Sequence, residues 1–158
     1  MHALTGRLGL ALLVLVLDQA TKLWAAGTLD YGMPVAVLPF FNLTLVHNTG
    51  AAFSFQADAG GWQRVFFIVV SGVVSLVLAV WLWRLPRDAR LLGIALALVL
   101  GGALGNLVDR VAYGYVIDFL DFHAAGWHWP AFNVADSAIS CGVVLLLVDG
   151  LFGGRAGR

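Results

Sequence analysis

The chain has 158 residues, 61% of them hydrophobic and 11% charged, with a formal net charge of zero. A soluble domain carries roughly a quarter charged residues, so this is a membrane composition. Zero net charge excludes the basic footprint of a nucleic-acid binder, and the single cysteine, Cys141, excludes an internal disulfide or a Cys-pair metal site.

Residues 8–17 form an apolar run after Arg7, with Ala25 and Ala26 downstream. That pattern is shared by cleavable signal peptides. Asp18, Gln19 and Lys22 interrupt the stretch where a cleavage site needs small neutral residues, so we read 8–26 as a first transmembrane helix. Asp18 and Lys22 are four apart and share a helical face. The simplest reading is an ion pair with Lys22 snorkelling to the interface; a Ser-Lys dyad of Lys22 with Ser54 has no support from spacing.

Residues 32–57 change character. Val35, Val37, Leu43, Leu45, Phe53 and Phe55 alternate with other residues, and Pro34, Pro39 and Gly50 punctuate. The period of two predicts two or three short strands outside the bilayer core. The stretch 47–54 holds Asn48 and Gly50. It reads equally as a hairpin turn with Gly50 at positive φ, or as a close approach to an extended peptide to which Asn48 donates hydrogen bonds. A turn at 58–61 leads to a second span, 65–83, with Trp62, Trp81 and Trp83 at interfacial positions.

A basic loop with Arg84, Arg87 and Arg90 precedes a third span, 91–108, loosened by Gly93, Gly101, Gly102 and Gly105, small residues that let helices approach closely. Asn106, Asp109 and Arg110 close it. Asn106 and Arg110 share a face, and a network satisfying buried polar groups is their expected role. The segment 109–133 reads as a loop, and 134–152 as the fourth span. Cys141 lies among apolar residues and reads as a packed thiol. His47, His123 and His128 lack metal-ligand spacing. We find no repeat and no second domain, so 1–158 is expected to be one integral-membrane unit.

Arg7, the 84–90 loop and the tail with Arg155 and Arg158 alternate with the other ends of the four spans. The positive-inside rule then puts both termini and that loop in the cytoplasm. The strand region and the 109–133 loop share the outer face.

Two carboxylates lie on that outer face. Asp136 sits at the mouth of the fourth span, where ionisable groups are costly and functional by default. Asn133, three residues earlier, makes a capping-box-like arrangement, so a capping role for Asp136 stays open. Asp118 lies in a hydrophobic, strand-like stretch with no evident cationic partner. Two carboxylates brought together in low dielectric share one proton, which poises one as base and one as acid. Such a pair hydrolyses a peptide without metal or covalent intermediate. The sequence holds no His-Glu-x-x-His and no Gly-x-Ser-x-Gly.

Five blocks carry a family resemblance: Asp18-Gln-Ala-Thr-Lys22, Asn48-Thr-Gly-Ala-Ala-Phe53, Gly105-Asn106-Leu-Val-Asp109-Arg110, Val116-Ile-Asp118-Phe119 and Phe132-Asn133-Val-Ala-Asp136-Ser137. In this order they resemble the lipoprotein signal peptidase (signal peptidase II) family. The resemblance implies a mainly α membrane protein with four transmembrane helices and a small β-sheet on the periplasmic side. It implies an aspartic endopeptidase of the bacterial inner membrane, with Asp118 and Asp136 as the catalytic pair. Asn48, Gly50, Asn106, Asp109, Arg110, Asn133, Asp18 and Lys22 would line or support the site. The substrate would be a diacylglyceryl prolipoprotein met in membrane lipid and cut on the amino side of the lipidated cysteine. No cofactor, metal or nucleic acid is implied, and a monomer is expected. The rival class is a proton-coupled carrier or scaffold using Asp18, Asp118 and Asp136 as a relay. The uniformly apolar stretch 143–148 argues for a one-sided site instead.

Overall fold

The computed structural model describes residues 2–50 and 62–152. The strand expected around Phe53 and Phe55, the turn at 58–61, Ser54, and the tail arginines Arg155 and Arg158 lie outside the described residues. Four helices are long and apolar enough to cross a membrane. They are α1 (His2–Thr28), α2 (Trp62–Arg84), α3 (Arg90–Ala112) and α4 (Val134–Phe152). The 27 residues of α1 rise about 40 Å, more than the hydrocarbon core is thick. Its ends therefore reach both interfaces, six residues beyond the expected start.

Among the described residues, four strands form one antiparallel sheet in the order β1 (Val35–Leu38), β2 (Phe41–Asn48), β3 (Val116–Ala124) and β4 (Trp127–His128). The sheet therefore extends well past the expected region. The segment read as a loop between the two carboxylates supplies its central strand and a short hairpin. In β3, residues 116–119 are all buried, so no polar-apolar alternation marks it in the sequence. Pairing of Val46 with Asp118 and Asn48 with Val116 fixes the register.

Among the helices α3 is central. A Cβ at Gly101 would stand 2.6 Å from the Ala11 carbonyl oxygen of α1, and one at Gly102 would collide with the Ala135 carbonyl of α4. The small-residue stripe thus seats two neighbours at backbone contact, which is how helices associate where lipid removes the hydrophobic drive. Leu78 and Leu82 of α2 complete the core against Leu96, Ala97, Leu100 and Ala11.

Arg7, counted among the basic ends of the spans, is not a free surface charge. It is buried inside α1, and its guanidinium donates to the carbonyls of Leu85, Pro86, Arg87 and Ala89. It ties the α2–α3 loop to α1 by satisfying carbonyls the helix end leaves open. Cys141 departs from the expected packed thiol. It is exposed on the outer face of α4, because apolar neighbours on a spanning helix are met by lipid as readily as by protein.

Candidate active site

The site forms where β3 and the start of α4 meet the C-terminal halves of α1 and α3. Asn133 is its hub. As the residue preceding α4, it accepts from the Asp136 N–H on Oδ1 (2.9 Å), and its carbonyl accepts from the Ser137 hydroxyl (2.9 Å). Asn133 is therefore the N-cap, as the capping-box-like spacing predicts, while no bond from the Asp136 carboxylate back to the Asn133 N–H closes the box among the described residues. Its Nδ2 donates to Asp118 Oδ1 (2.7 Å), the Ile117 carbonyl (3.2 Å) and Asn106 Oδ1 (3.3 Å). Asn106 Nδ2 in turn donates to Asp136 Oδ1 (2.8 Å). The two carboxylates are thus joined through two amides, in the order Asp118, Asn133, Asn106, Asp136.

Asp118 Oδ2 accepts from Asn48 Nδ2 (3.0 Å), and the Gly50 N–H returns to Asn48 Oδ1 (2.9 Å). Asn48 therefore spends one amide hydrogen on the carboxylate. Gly50 has φ +82°, as the turn reading expects, and a Cβ there would also fall 2.5 Å from the Phe67 ring. Asp118 is almost fully buried, and its partners are amides rather than a cation. Burial pushes its carboxyl up to about 6; Asp136 adds to the rise, while the Asn48 and Asn133 hydrogen bonds oppose it. Asp136 is half-buried. Its Oδ1 is held by Asn106, and no bond to its Oδ2 is made from the described residues. It lines a groove of about 370 Å³ with Trp129, Phe132, Ser137, Ser140 and Cys141.

Behind this pair lies a buried ionic cluster. Lys22 is 1% exposed, which overturns the snorkelling expectation. Its ammonium meets Asp18 (2.8 Å), Asp109 (2.9 Å) and Asn106 Oδ1 (2.8 Å). A charge this deep persists because two carboxylates and an amide replace its water. Each carboxylate then reaches an element that bears one of the outer pair. Asp18 Oδ1 accepts from the Ala135 N–H of α4 (2.8 Å), and Asp109 Oδ2 accepts from the Ile117 N–H of β3 (3.0 Å). Gln19 was passed over in the sequence. Its amide bridges Asp109 Oδ1 (2.8 Å), the Gly105 carbonyl (3.1 Å) and Asp18 Oδ2 (3.3 Å). Its position beside Asp18 on a spanning helix was the available signal. Arg110 donates to the Asn106 carbonyl one turn back and lies over the Phe67 ring at 5.5 Å, so the expected shared face holds.

A second polar cluster sits further out on the sheet. Asp121 accepts from Asn42 (3.3 Å), Thr44 (3.0 Å) and the His128 ring (2.7 Å). Burial alone would raise its carboxyl, but these three bonds hold it below the ordinary range. Asp121 lies three positions beyond Asp118 on β3 and outside the Val116–Phe119 block that singles out Asp118 in the sequence. His47 stacks between Tyr31 and Tyr115, and His123 stacks on His128.

A model of the family described as signal peptidase (SPase) II matches residues 10–152. The chain is 57% identical over 146 residues to a lipoprotein signal peptidase of Acinetobacter baumannii, covering 92% of this chain and 82% of that protein. It is 52% identical over 156 residues to one of Burkholderia pseudomallei, covering 99% and 93%. A bacterial membrane enzyme solved by the in meso method at 1.9 Å superposes with a TM-score of 0.81 and 32% identity over 94% of each chain.

Proposed function

The chain belongs to the signal peptidase II family, and from that premise we propose that it is an aspartic endopeptidase in which Asp118 and Asp136 activate water. Its substrate in this reading is a diacylglyceryl prolipoprotein, cut on the amino side of the lipidated cysteine. The observation that carries the proposal is the amide-linked pair: two carboxylates from different elements, joined through Asn133 and Asn106 and backed by a buried ionic cluster.

The two environments differ, and the difference assigns roles. Asp118, raised to about 6, holds the shared proton. Asp136, which lines the groove and keeps Oδ2 unbonded among the described residues, is the base. Asp136 takes a proton from water as its oxygen attacks the scissile carbonyl carbon. Asp118 gives its proton to the carbonyl oxygen, leaving a neutral gem-diol. On collapse Asp136 protonates the departing nitrogen and Asp118 recovers the hydroxyl proton, which restores the starting state. Asn48, Asn106 and Asn133 hold both carboxylates in place through these steps, so little reorganisation accompanies the charge movement.

In this reading the protein works as a monomer in the inner membrane, with both termini cytoplasmic and the sheet on the periplasmic side. The polar side chains of α1 and α3 that meet the site end at Asp18 and Asn106. Residues 8–17 and 91–105 contain no charged or amide side chain to continue a relay through the bilayer. That supports a one-sided enzyme over a carrier. The test is incubation of the purified protein with diacylglyceryl prolipoprotein and with its unlipidated precursor. Cleavage of the lipidated form, lost in Asp118→Asn and Asp136→Asn, is expected. Equal rates on both substrates would refute the lipid requirement, and full activity in either variant would refute the pair.

A further inference from the structure

The end of the bundle opposite the sheet holds a groove of about 400 Å³ between α1 and α3. Its floor is Ala3, Gly6, Leu10 and Ile94, and its rim is Arg7, Arg87 and Arg90. Arg7 is fixed by four carbonyls, which take its hydrogens but not its charge. Arg87 and Arg90 are exposed and form no ion pair with the described residues. The exposed Asp88 is the one acid in the loop, and it does not line the groove. The first turn of α3 carries no acid and its N-cap, Ala89, offers no side-chain acceptor, so the helix dipole adds to the same positive field.

We propose that this groove binds an anionic phospholipid, its phosphodiester on Arg87 and Arg90 and one acyl chain along Gly6, Leu10 and Ile94. Charge complementarity selects the headgroup. A guanidinium is planar, permanently charged and matched to two phosphate oxygens at once. The apolar floor selects a lipid over a free anion, because a soluble phosphate would leave Leu10 and Ile94 uncovered. Depth agrees: basic pockets between spanning helices at the headgroup level are where anionic lipids seat. The site lies at the far end of α1 from Asp118 and Asp136, so it stands apart from the proposed chemistry.

The experiment is native mass spectrometry of the full-length purified protein, titrated with phosphatidylglycerol or phosphatidylcholine. One phosphatidylglycerol is expected to be retained about tenfold more tightly than phosphatidylcholine. Arg87→Gln with Arg90→Gln should abolish that preference, whereas Arg84→Gln, which removes a loop charge outside the groove, should keep it. A Cβ added at Gly6 would meet no atom within 4 Å, so the backbone accepts a side chain there, and Gly6→Leu should weaken lipid retention with all arginines present. Equal retention of the two lipids would overturn the proposal, as would equal loss in Arg84→Gln. Displacement of the lipid by millimolar inorganic phosphate, with Gly6→Leu unaffected, would assign the site to a free anion instead and overturn the lipid.

Discussion

Replacing Asp136 by Asn separates a reacting carboxylate from a structural one, because the structure sets the two costs far apart. Asn133 rather than Asp136 caps α4, so the cap survives the change. The bond from Asn106 at 2.8 Å also survives, since an amide oxygen accepts in place of the carboxylate. It weakens from a charge-assisted bond to a neutral one, a loss of about 1 kcal/mol. Removing a negative charge from the first turn of α4 costs a further ~0.3–1 kcal/mol. Relief of the repulsion that helps raise Asp118 offsets part of this. The expected destabilisation is therefore about 1–2 kcal/mol. Loss of a general base costs roughly 10²–10⁴ in rate, equivalent to about 3–5 kcal/mol of activation free energy. The assay is turnover of diacylglyceryl prolipoprotein beside thermal unfolding in the same detergent. A folded variant within tenfold of wild-type turnover would refute the reasoning, and so would an unfolding shift large enough to account for the lost activity. Asp118→Asn should behave alike, and the double variant should be scarcely slower than either, because the pair acts as one unit.

Lys22→Met should destabilise by about 3–5 kcal/mol, since Asp18 and Asp109 would be left buried without their cation; adding Asp18→Asn and Asp109→Asn should restore much of it, and unchanged thermal stability in the single variant would contradict the cluster's role. The pH dependence follows from Asp118. Its folded value of about 6 lies above its ordinary 3.8, so its contribution to stability is full below 3.8 and disappears as pH rises through 6. The full difference is on the order of 3 kcal/mol, and the roughly 2 kcal/mol of it that falls between pH 4.5 and pH 7.5 should be visible as higher thermal stability at pH 4.5 and should vanish in Asp118→Asn. Turnover should likewise fall as pH rises above about 6, and a rate still climbing at pH 8 would reverse the acid and base assignments. For orientation, single cysteines at Thr5 and Ala89, in a Cys141→Ala background, should resist an impermeant thiol reagent in spheroplasts while one at Ala124 reacts; labelling at Ala89 would invert the proposed topology.

The sequence by itself determined the parts governed by local chemistry. Four spans are legible because a bilayer demands long, uniformly apolar helices, whatever their neighbours. Gly101, Gly102 and Gly105 are legible as a contact stripe for the same reason, and Asp18 with Lys22 as a pair because a helix places them one turn apart. Asp118 and Asp136 stood out because acids near a membrane are expensive. Only the tertiary structure decided what each of these meets. The Asp18 carboxylate caps a helix 117 positions away, and no local pattern encodes that bond. Lys22 could snorkel or be buried; Asp109, arriving from α3, settles it as buried. Asn133 caps α4 in either reading, yet its link from Asp118 to Asn106 exists only because β3 bridges Leu120 to Phe132 and so brings Ile117 and Asp118 alongside. The stretch around Asp118 reads as strand-like, but the extent of β3 through the segment read as a loop does not, because its first residues are covered on both faces, which erases the alternation that marks a half-exposed strand. Cys141 reads as packed from its neighbours and is exposed in the fold, since in a membrane the apolar partner of a side chain is as readily a lipid as another helix.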